Sequence, residues 1–493
     1  MDVEHPTPGS DDAYLRQLGV EPHLKRALGF VTSSLFAIAF QGPTTGALLI
    51  TGATLALGGP AFIWSIPLIF LFQFVVALNC AELASHYPLT GGIYQWARYL
   101  GGEGLAWVTG LFYLVGIILV MPAVGLVITI VLSGLIPAIT FTPTSEIVFS
   151  FLTIIVTAIL ISTSVRFIAL INSVGVVLEL VVLGGVAFLL LFHNHQPLSV
   201  LTSTGGTAAH TNYLSPFLVV VALVITQLVG FETAGAFAEE TVDSRIKPPR
   251  AILTACVGTT LILFIFDAAL ILALPNLGAA MKQPETLIPA TLTAAFGAIG
   301  AKIFLVGAFV SVLSTSIATL AAIVRTMYGM AREHQLPGSS YLTRLSPRTN
   351  EPVVTIAVAA ILGMLPLLVV NQIPVIVAAI SALILVSYML VLIALLRKRL
   401  QGWPTSRAPF KLGPWGVPLT VIGVVWAAAA LTDALWARPE TNPNLGPFPV
   451  IWEFAAVIVI VGALWWYGGL RRRLDIVPAE PGPTPRTPSA DPS

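Results

Sequence analysis

The sequence predicts an all-α integral membrane protein with about twelve transmembrane helices. Three observations lead there. Of 493 residues, 56% are hydrophobic and only 10% are charged, with a mean hydropathy of +0.91. A soluble domain carries roughly a quarter charged residues, so the apolar surplus must face lipid. Apolar runs long enough for a spanning helix, ~20 residues, recur near 28–57, 61–85, 105–136, 146–165, 167–192, 215–238, 251–275, 301–330, 353–371, 374–396, 415–436 and 449–470. Finally, with the N-terminus placed inside, only Lys282, Lys302 and Arg438 of the 24 basic residues fall on the outer side. That bias satisfies the positive-inside rule, and one missed or extra helix would scramble it.

The chain divides accordingly into an N-terminal tail (1–27), a first set of five spans (28–192), a second set of five (215–396), two added spans (415–470) and a C-terminal tail (471–493). The N-terminal tail opens with Asp2, Glu4, Asp11 and Asp12, unlike the basic start of a signal peptide, so the first apolar run is expected to stay as a membrane helix. Both tails are expected to be disordered, above all the stretch from Val477, which is rich in Pro, Ser and Thr with little to bury. Both termini are expected in the cytoplasm, with the protein in the plasma (cytoplasmic) membrane.

Two spans are interrupted. The first contains Phe40-Gln41-Gly42-Pro43-Thr44-Thr45-Gly46. Pro43 lacks an N–H and clashes with the preceding turn, and the flanking glycines weaken the helix. The sixth contains Gly230-Phe231-Glu232-Thr233-Ala234-Gly235, a carboxylate between two glycines. Unpaired backbone in lipid is tolerated only where it lines a cavity or is covered by protein. Breaks five spans apart are what two inverted five-helix repeats would give. The stretches Pro88 to Gly104 and Pro284 to Gly300, ending in Gly101-Gly102-Glu103-Gly104 and Gly297-Ala298-Ile299-Gly300, correspond in the same way. Paired interruptions are the best sequence pointer to a transporter's site.

Three stretches resemble the amino acid–polyamine–organocation transporter superfamily over roughly 25–470. One is Glu82 to Trp96, containing Pro88-Leu89-Thr90-Gly91-Gly92-Ile93-Tyr94-Gln95-Trp96. The second is Gly230-Phe231-Glu232-Thr233-Ala234 with Ala238-Glu239-Glu240-Thr241 and Pro249-Arg250-Ala251-Ile252. The third, Phe36 to Phe40 with Gly59-Pro60 and Trp64, looks most like the amino acid/choline branch. The resemblance implies a five-plus-five inverted-repeat core with two extra helices. It also implies a substrate held between spans one, three, six and eight, with access alternating between the two sides.

By that resemblance, Phe40, Gln41, Gly42, Pro43, Thr44 and Thr45 hold a substrate carboxylate, while Gly230, Phe231, Glu232 and Thr233 face its amine. Gln41 and Pro43 depart from the glycine-rich form common in the family. Thr44 and Thr45 also suit simple capping of the broken turn. Glu232 reads as an amine contact, a proton site, a gate or a cap for the next half-helix. Glu179, seven residues after Asn172 in the fifth span, stands where some relatives carry a lysine; it reads as a proton-coupling site, a counter-charge, or an acid bonded to a neighbouring helix. Ser314, Thr315 and Ser316 suit either a sodium site or helix packing with bonds back to backbone carbonyls. Glu239 and Glu240 are expected to pair with basic residues of another cytoplasmic loop and close an inner gate, or else to lie in a solvated loop. Asp267 is assigned no role.

The predicted function is secondary active transport of amino acids or related amines such as 4-aminobutyrate or choline, coupled to H+ or Na+ or working by exchange. The alternatives are a sensor with a transporter fold and a channel. A net charge of +1 gives no attraction to nucleic acid. Cys80 and Cys256 sit inside apolar runs and read as small core residues. The histidines lie in tails or at helix ends, His193-Asn194-His195 being a weak outer cluster, which argues against an enzyme. No cofactor is expected. The expected partners are the small-molecule substrate, a coupling ion and lipid, with the protein a monomer or weak homo-oligomer.

Overall fold

The computed structural model describes residues 11–21, 24–136, 138–140, 142–207, 212–369, 373–404, 408–436, 456, 459–460 and 462–470. Among these, ten helices are long and apolar enough to cross a membrane, joined by the shorter Val353–Leu367. We label the spans α1 (Phe30–Gly58), α2 (Pro60–His86), α3 (Glu103–Leu135), α4 (Pro143–Ile161), α5 (Val165–Leu190), α6 (Leu214–Ala236), α7 (Lys247–Leu272), α8 (Leu287–Arg332), α9 (Val353–Val369), α10 (Ile373–Leu400) and α11 (Gly416–Leu435). Most of the twelfth apolar run lies outside the described residues, as do Arg407, Arg438, the C-terminal tail, His5, His23 and His210. Large apolar side chains on α2, α4 and α5, such as Leu71, Ile159, Val181 and Phe188, are exposed, as lipid-facing surface should be.

The helices pair as two related sets. α3 packs along α10 as α8 packs along α5, and α2 lies against α7. The connectors match in backbone detail. Gly102 (φ 81, ψ −177) starts α3, and Gly297 (φ 70, ψ 178) breaks α8 at the corresponding place. Both are left-handed conformations that a β-carbon would strain. α3 is itself bent at Leu119, between helices ending at Ile118 and starting at Val120. Pro122 accounts for this, because its ring clashes with the carbonyl four residues back.

The N-terminal tail is not wholly featureless. Asp11–Gln17 forms a helix whose Leu15 packs with Val20 and Leu89, while Asp11 accepts from Ser244 N–H at 3.0 Å and Arg26 pairs with Asp12 at 2.5 Å. A few apolar contacts and these charges suffice to dock a short polar segment.

Candidate functional site

The break in α1 takes the form its residues dictate. The first half-helix ends at Gln41, and Gly42 turns left-handed (φ 55) with its N–H on Ile38 O at 2.9 Å. Pro43 then opens the second half, where a missing N–H costs nothing. Thr315 of α8 packs so closely on Gly42 that a β-carbon there would come within 2.8 Å of it. Thr45 Oγ1 donates to Thr315 Oγ1 at 3.2 Å. The orphan Thr44 N–H donates to Glu179 Oε1 of α5 at 2.8 Å. Glu179 thus sets its carboxylate at the positive end of the second half-helix, where an anion is favoured. The Ser311 and Thr44 hydroxyls lie beside that carboxylate. Further along α1, five residues form a π-turn ending at Thr51, whose hydroxyl donates to Asp267 Oδ1 at 2.9 Å.

The break in α6 is closed differently. A 3₁₀ turn at Ile225–Leu228 leads into extended Val229 and left-handed Gly230 (φ 98). The Phe40 ring presses on Gly230 and leaves no room for a side chain. Glu232, 1% exposed, turns back on its own break: Oε2 accepts from Gly230 N–H at 3.1 Å and from the Tyr388 hydroxyl, and Oε1 accepts from Tyr113 OH at 2.7 Å. Thr233 Oγ1 donates to Gly230 O at 2.6 Å, and Phe231 is fully buried against Tyr388. A carboxylate in lipid must be paired, protonated or hydrogen-bonded, and here neutral donors from α3 and α10 hold it.

Between the breaks lies a cavity of about 50 Å³, far below the ~300 Å³ at which ligand pockets begin. The cavity as it stands is thus smaller than an amino acid. The lining comes from α1, α3, α6, α8 and α10: Phe40, Gln41, Thr45 and Thr315 are joined by Val120, Val124, Thr226, Gln227, Val229, Val377, Ile380 and Ile384. The remaining expected residues of the two breaks, Gly42, Pro43, Thr44, Gly230, Phe231, Glu232 and Thr233, do not line this cavity. Ser314, Thr315 and Ser316 point to three different neighbours. Ser314 abuts Gly175 of α5, Thr315 faces the α1 break, and Ser316 bonds Thr157 of α4 at 2.8 Å. Cys80 and Cys256 are free and buried.

Glu239 and Glu240 are buried and paired, but with the end of α8 rather than with another loop. Arg332 grips Glu239 through two bonds of 3.0 and 2.9 Å, and Thr90 N–H also donates to Glu239. Arg325 binds Glu240 at 2.8 and 3.0 Å and reaches Glu351 at 3.2 Å. The backbone of Ala27 and Leu28 donates to Glu240 O, tying the entry of α1 to the segment after α6. Glu82 meets Arg399 nearby. At the opposite end, Pro284 packs directly over Gly52 of α1.

Sequence reasoning missed Tyr113, Tyr388 and Gln227. Gln227 had a signal, an amide in an apolar run three residues before the break; the tyrosines had only their hydroxyls in mid-span, away from the interfacial belts where Tyr concentrates.

The model of a family described as amino acid permease matches residues 30–468. The amino-acid permease BAT1 of Arabidopsis thaliana is 23% identical over 528 residues, covering 94% of this chain and 95% of the relative. The branched-chain amino acid permease BcaP of Bacillus subtilis is 26% identical over 411 residues, covering 78% and 84%. A BAT1 homolog of Oryza sativa is 35% identical, but over 21% of each chain.

Proposed function

The chain belongs to the amino acid permease family of the amino acid–polyamine–organocation superfamily, and we propose that it carries neutral amino acids with apolar side chains by alternating access. The cavity lining carries this reading: Leu49, Ile50, Val120, Val124, Val229, Val377, Ile380 and Ile384 offer branched aliphatic walls. The Bacillus subtilis relative, named for branched-chain amino acids, fits the same cargo. Choline or a polyamine would want a free acid in the cavity, whereas Glu232 is already held by Tyr113, Tyr388 and Gly230.

Coupling is assigned to a proton on Glu179. Its carboxylate touches the half-helix that must move. The divergence of Ser314, Thr315 and Ser316 weighs against sodium. The ion pairs Glu239–Arg332 and Glu240–Arg325 act as the inner gate, since they join the ends of α6 and α8 beside the entry of α1. The inverted-repeat reading is supported by the matched backbone at Gly102 and Gly297 and the matched pairs α3–α10 and α8–α5. The distribution of basic residues supports a cytoplasmic side for both termini and this gate, with the protein in the plasma membrane.

Counterflow into proteoliposomes tests the proposal. Labelled leucine, isoleucine, valine, 4-aminobutyrate and choline are compared with and without sodium and a pH gradient. Saturable, sodium-independent flux of the aliphatic amino acids, stimulated by an acid exterior, is expected. Flux of 4-aminobutyrate or choline alone would restore the amine reading.

A further inference from the structure

Two amide groups in the cavity wall have no hydrogen-bond partner: Nε2 of Gln41 and Nε2 of Gln227. The residues are 7% and 3% exposed, and both line the cavity. Gln41 Oε1 accepts from Thr259 Oγ1 at 2.9 Å, which commits its oxygen and leaves the nitrogen free. Gln227 lies across Gly46 of α1; a β-carbon there would come 3.0 Å from Cγ and 3.2 Å from Nε2. The glycine thus opens the slot through which an amide on α6 reaches α1.

An unmade buried donor is unfavourable, so two of them on one small cavity call for an acceptor. The backbone around the α1 break has few donors left. Gly42 N–H goes to Ile38 O and Gly46 N–H to Gly42 O, Pro43 has none, and Thr44 N–H is taken by Glu179, which leaves Thr45 N–H alone of the five. A substrate carboxylate arriving there would also meet the Glu179 charge. We infer that the side-chain amides of Gln41 and Gln227 take the carboxylate of the substrate. This rests on the amino acid reading above and extends it to the group recognised. Gln41 ends the first half of α1, and Gln227 stands in the last turn of α6 before its break. One carboxylate bonded to both amides would tie the two broken spans together, linking cargo recognition to closure.

The test uses the purified full chain in proteoliposomes, with labelled leucine and three unlabelled competitors: leucine, leucinamide and 3-methylbutylamine. The last two lack the carboxylate. In wild type, leucine should compete at least about tenfold better than either, because a site built for a hydrogen-bonding group rejects analogues without it. Gln227→Leu and Gln227→Glu should each raise the leucine KM about tenfold and shrink that discrimination, with maximal flux changed far less. Gln41→Leu should act in the same direction. Should Gln227→Glu fail to insert, the volume-matched Gln227→Leu carries the test through leucine-dependent thermal protection. Wild-type KM and wild-type discrimination in Gln227→Leu would overturn the inference. Wild type that moves no neutral amino acid would instead overturn the proposed cargo.

Discussion

The two broken spans solve one problem with opposite means. In α6, the acid that satisfies the break is two residues from it: Glu232 bonds Gly230 N–H, and tyrosines of α3 and α10 hold its oxygens. In α1, the acid is borrowed. Glu179 reaches the Thr44 N–H from α5, with the Ser311 and Thr44 hydroxyls beside its carboxylate. A cap carried beside its own break, and pinned by donors of two further helices, suits a permanent bend. A cap supplied by another helix can be given up when that helix moves or when the acid takes a proton. On this account, α6 supplies the fixed hinge and α1 the switch.

The largest expected effect comes from spoiling the fixed hinge at its backbone. Gly230→Ala puts a β-carbon into a left-handed residue, costing ~1–2 kcal/mol, and drives it into the Phe40 ring. Counterflow should fall below detection with a lowered melting temperature. Gly42→Ala, facing a Thr315 side chain that can rotate, should lose less, and equal losses would erase the contrast.

Next comes Glu232→Ala, which strands the Tyr113 hydroxyl and leaves Gly230 N–H and the Tyr388 hydroxyl only each other, at about 1–3 kcal/mol for each bond lost. Flux should drop about a hundredfold, while Tyr113→Phe and Tyr388→Phe each cost about tenfold by the same rule. The losses should combine non-additively in the double variant, because both hydroxyls serve one carboxylate. Strict additivity in initial rates would mean that the three groups do not act together.

The gate should yield an effect on accessibility rather than on rate. Breaking a buried ion pair leaves an uncompensated charge and costs about 3–5 kcal/mol. Arg332→Glu should therefore expose Thr326→Cys, a buried position on α8, to an impermeant thiol reagent from the basic side, and adding Glu239→Arg should protect it again. Unchanged labelling in Arg332→Glu would remove the gate.

A smaller, pH-dependent effect belongs to Glu351, which lies before α9 and shares Arg325 with Glu240. Burial raises its carboxyl to about 7, Arg325 opposing the shift and Glu240 adding to it. Because the acid is raised where it is buried, the closed gate binds that proton more tightly than an open, solvated one. Closure is therefore favoured as pH falls through 7 towards the ordinary carboxylate range and is weakened as pH rises. Glu351→Gln should flatten the pH dependence of Thr326→Cys labelling.

Much of the fold was legible, because lipid imposes long apolar runs and because glycine, proline and an embedded acid mark helix breaks locally. Gly42-Pro43 and Gly230 fall where the residues said they would. The partners of those breaks were not legible. Glu179 and Thr44 are 135 residues apart, and Tyr113 and Glu232 are 119 apart; nothing local to any of the four states the pairing. The gate shows the same limit. Glu239 and Glu240 announced themselves as charges after α6, but their partners Arg325 and Arg332 sit on the last turns of α8, inside what reads as one continuous helix. Gln227 was overlooked because an amide in an apolar run ordinarily bonds a neighbouring helix; its place three residues before the break and its orphaned nitrogen set it apart.

The division between switch and hinge is tested most directly by the pH profile of leucine counterflow in Glu179→Gln beside Glu232→Gln. Glu179→Gln removes the proton-accepting group while keeping its shape. It should transport within about threefold of wild type, a change below 1 kcal/mol, with a flat pH profile. Glu232→Gln should transport poorly, and any residual flux should keep the wild-type profile. A wild-type pH profile in Glu179→Gln, or a flat one in Glu232→Gln, would contradict the assignment.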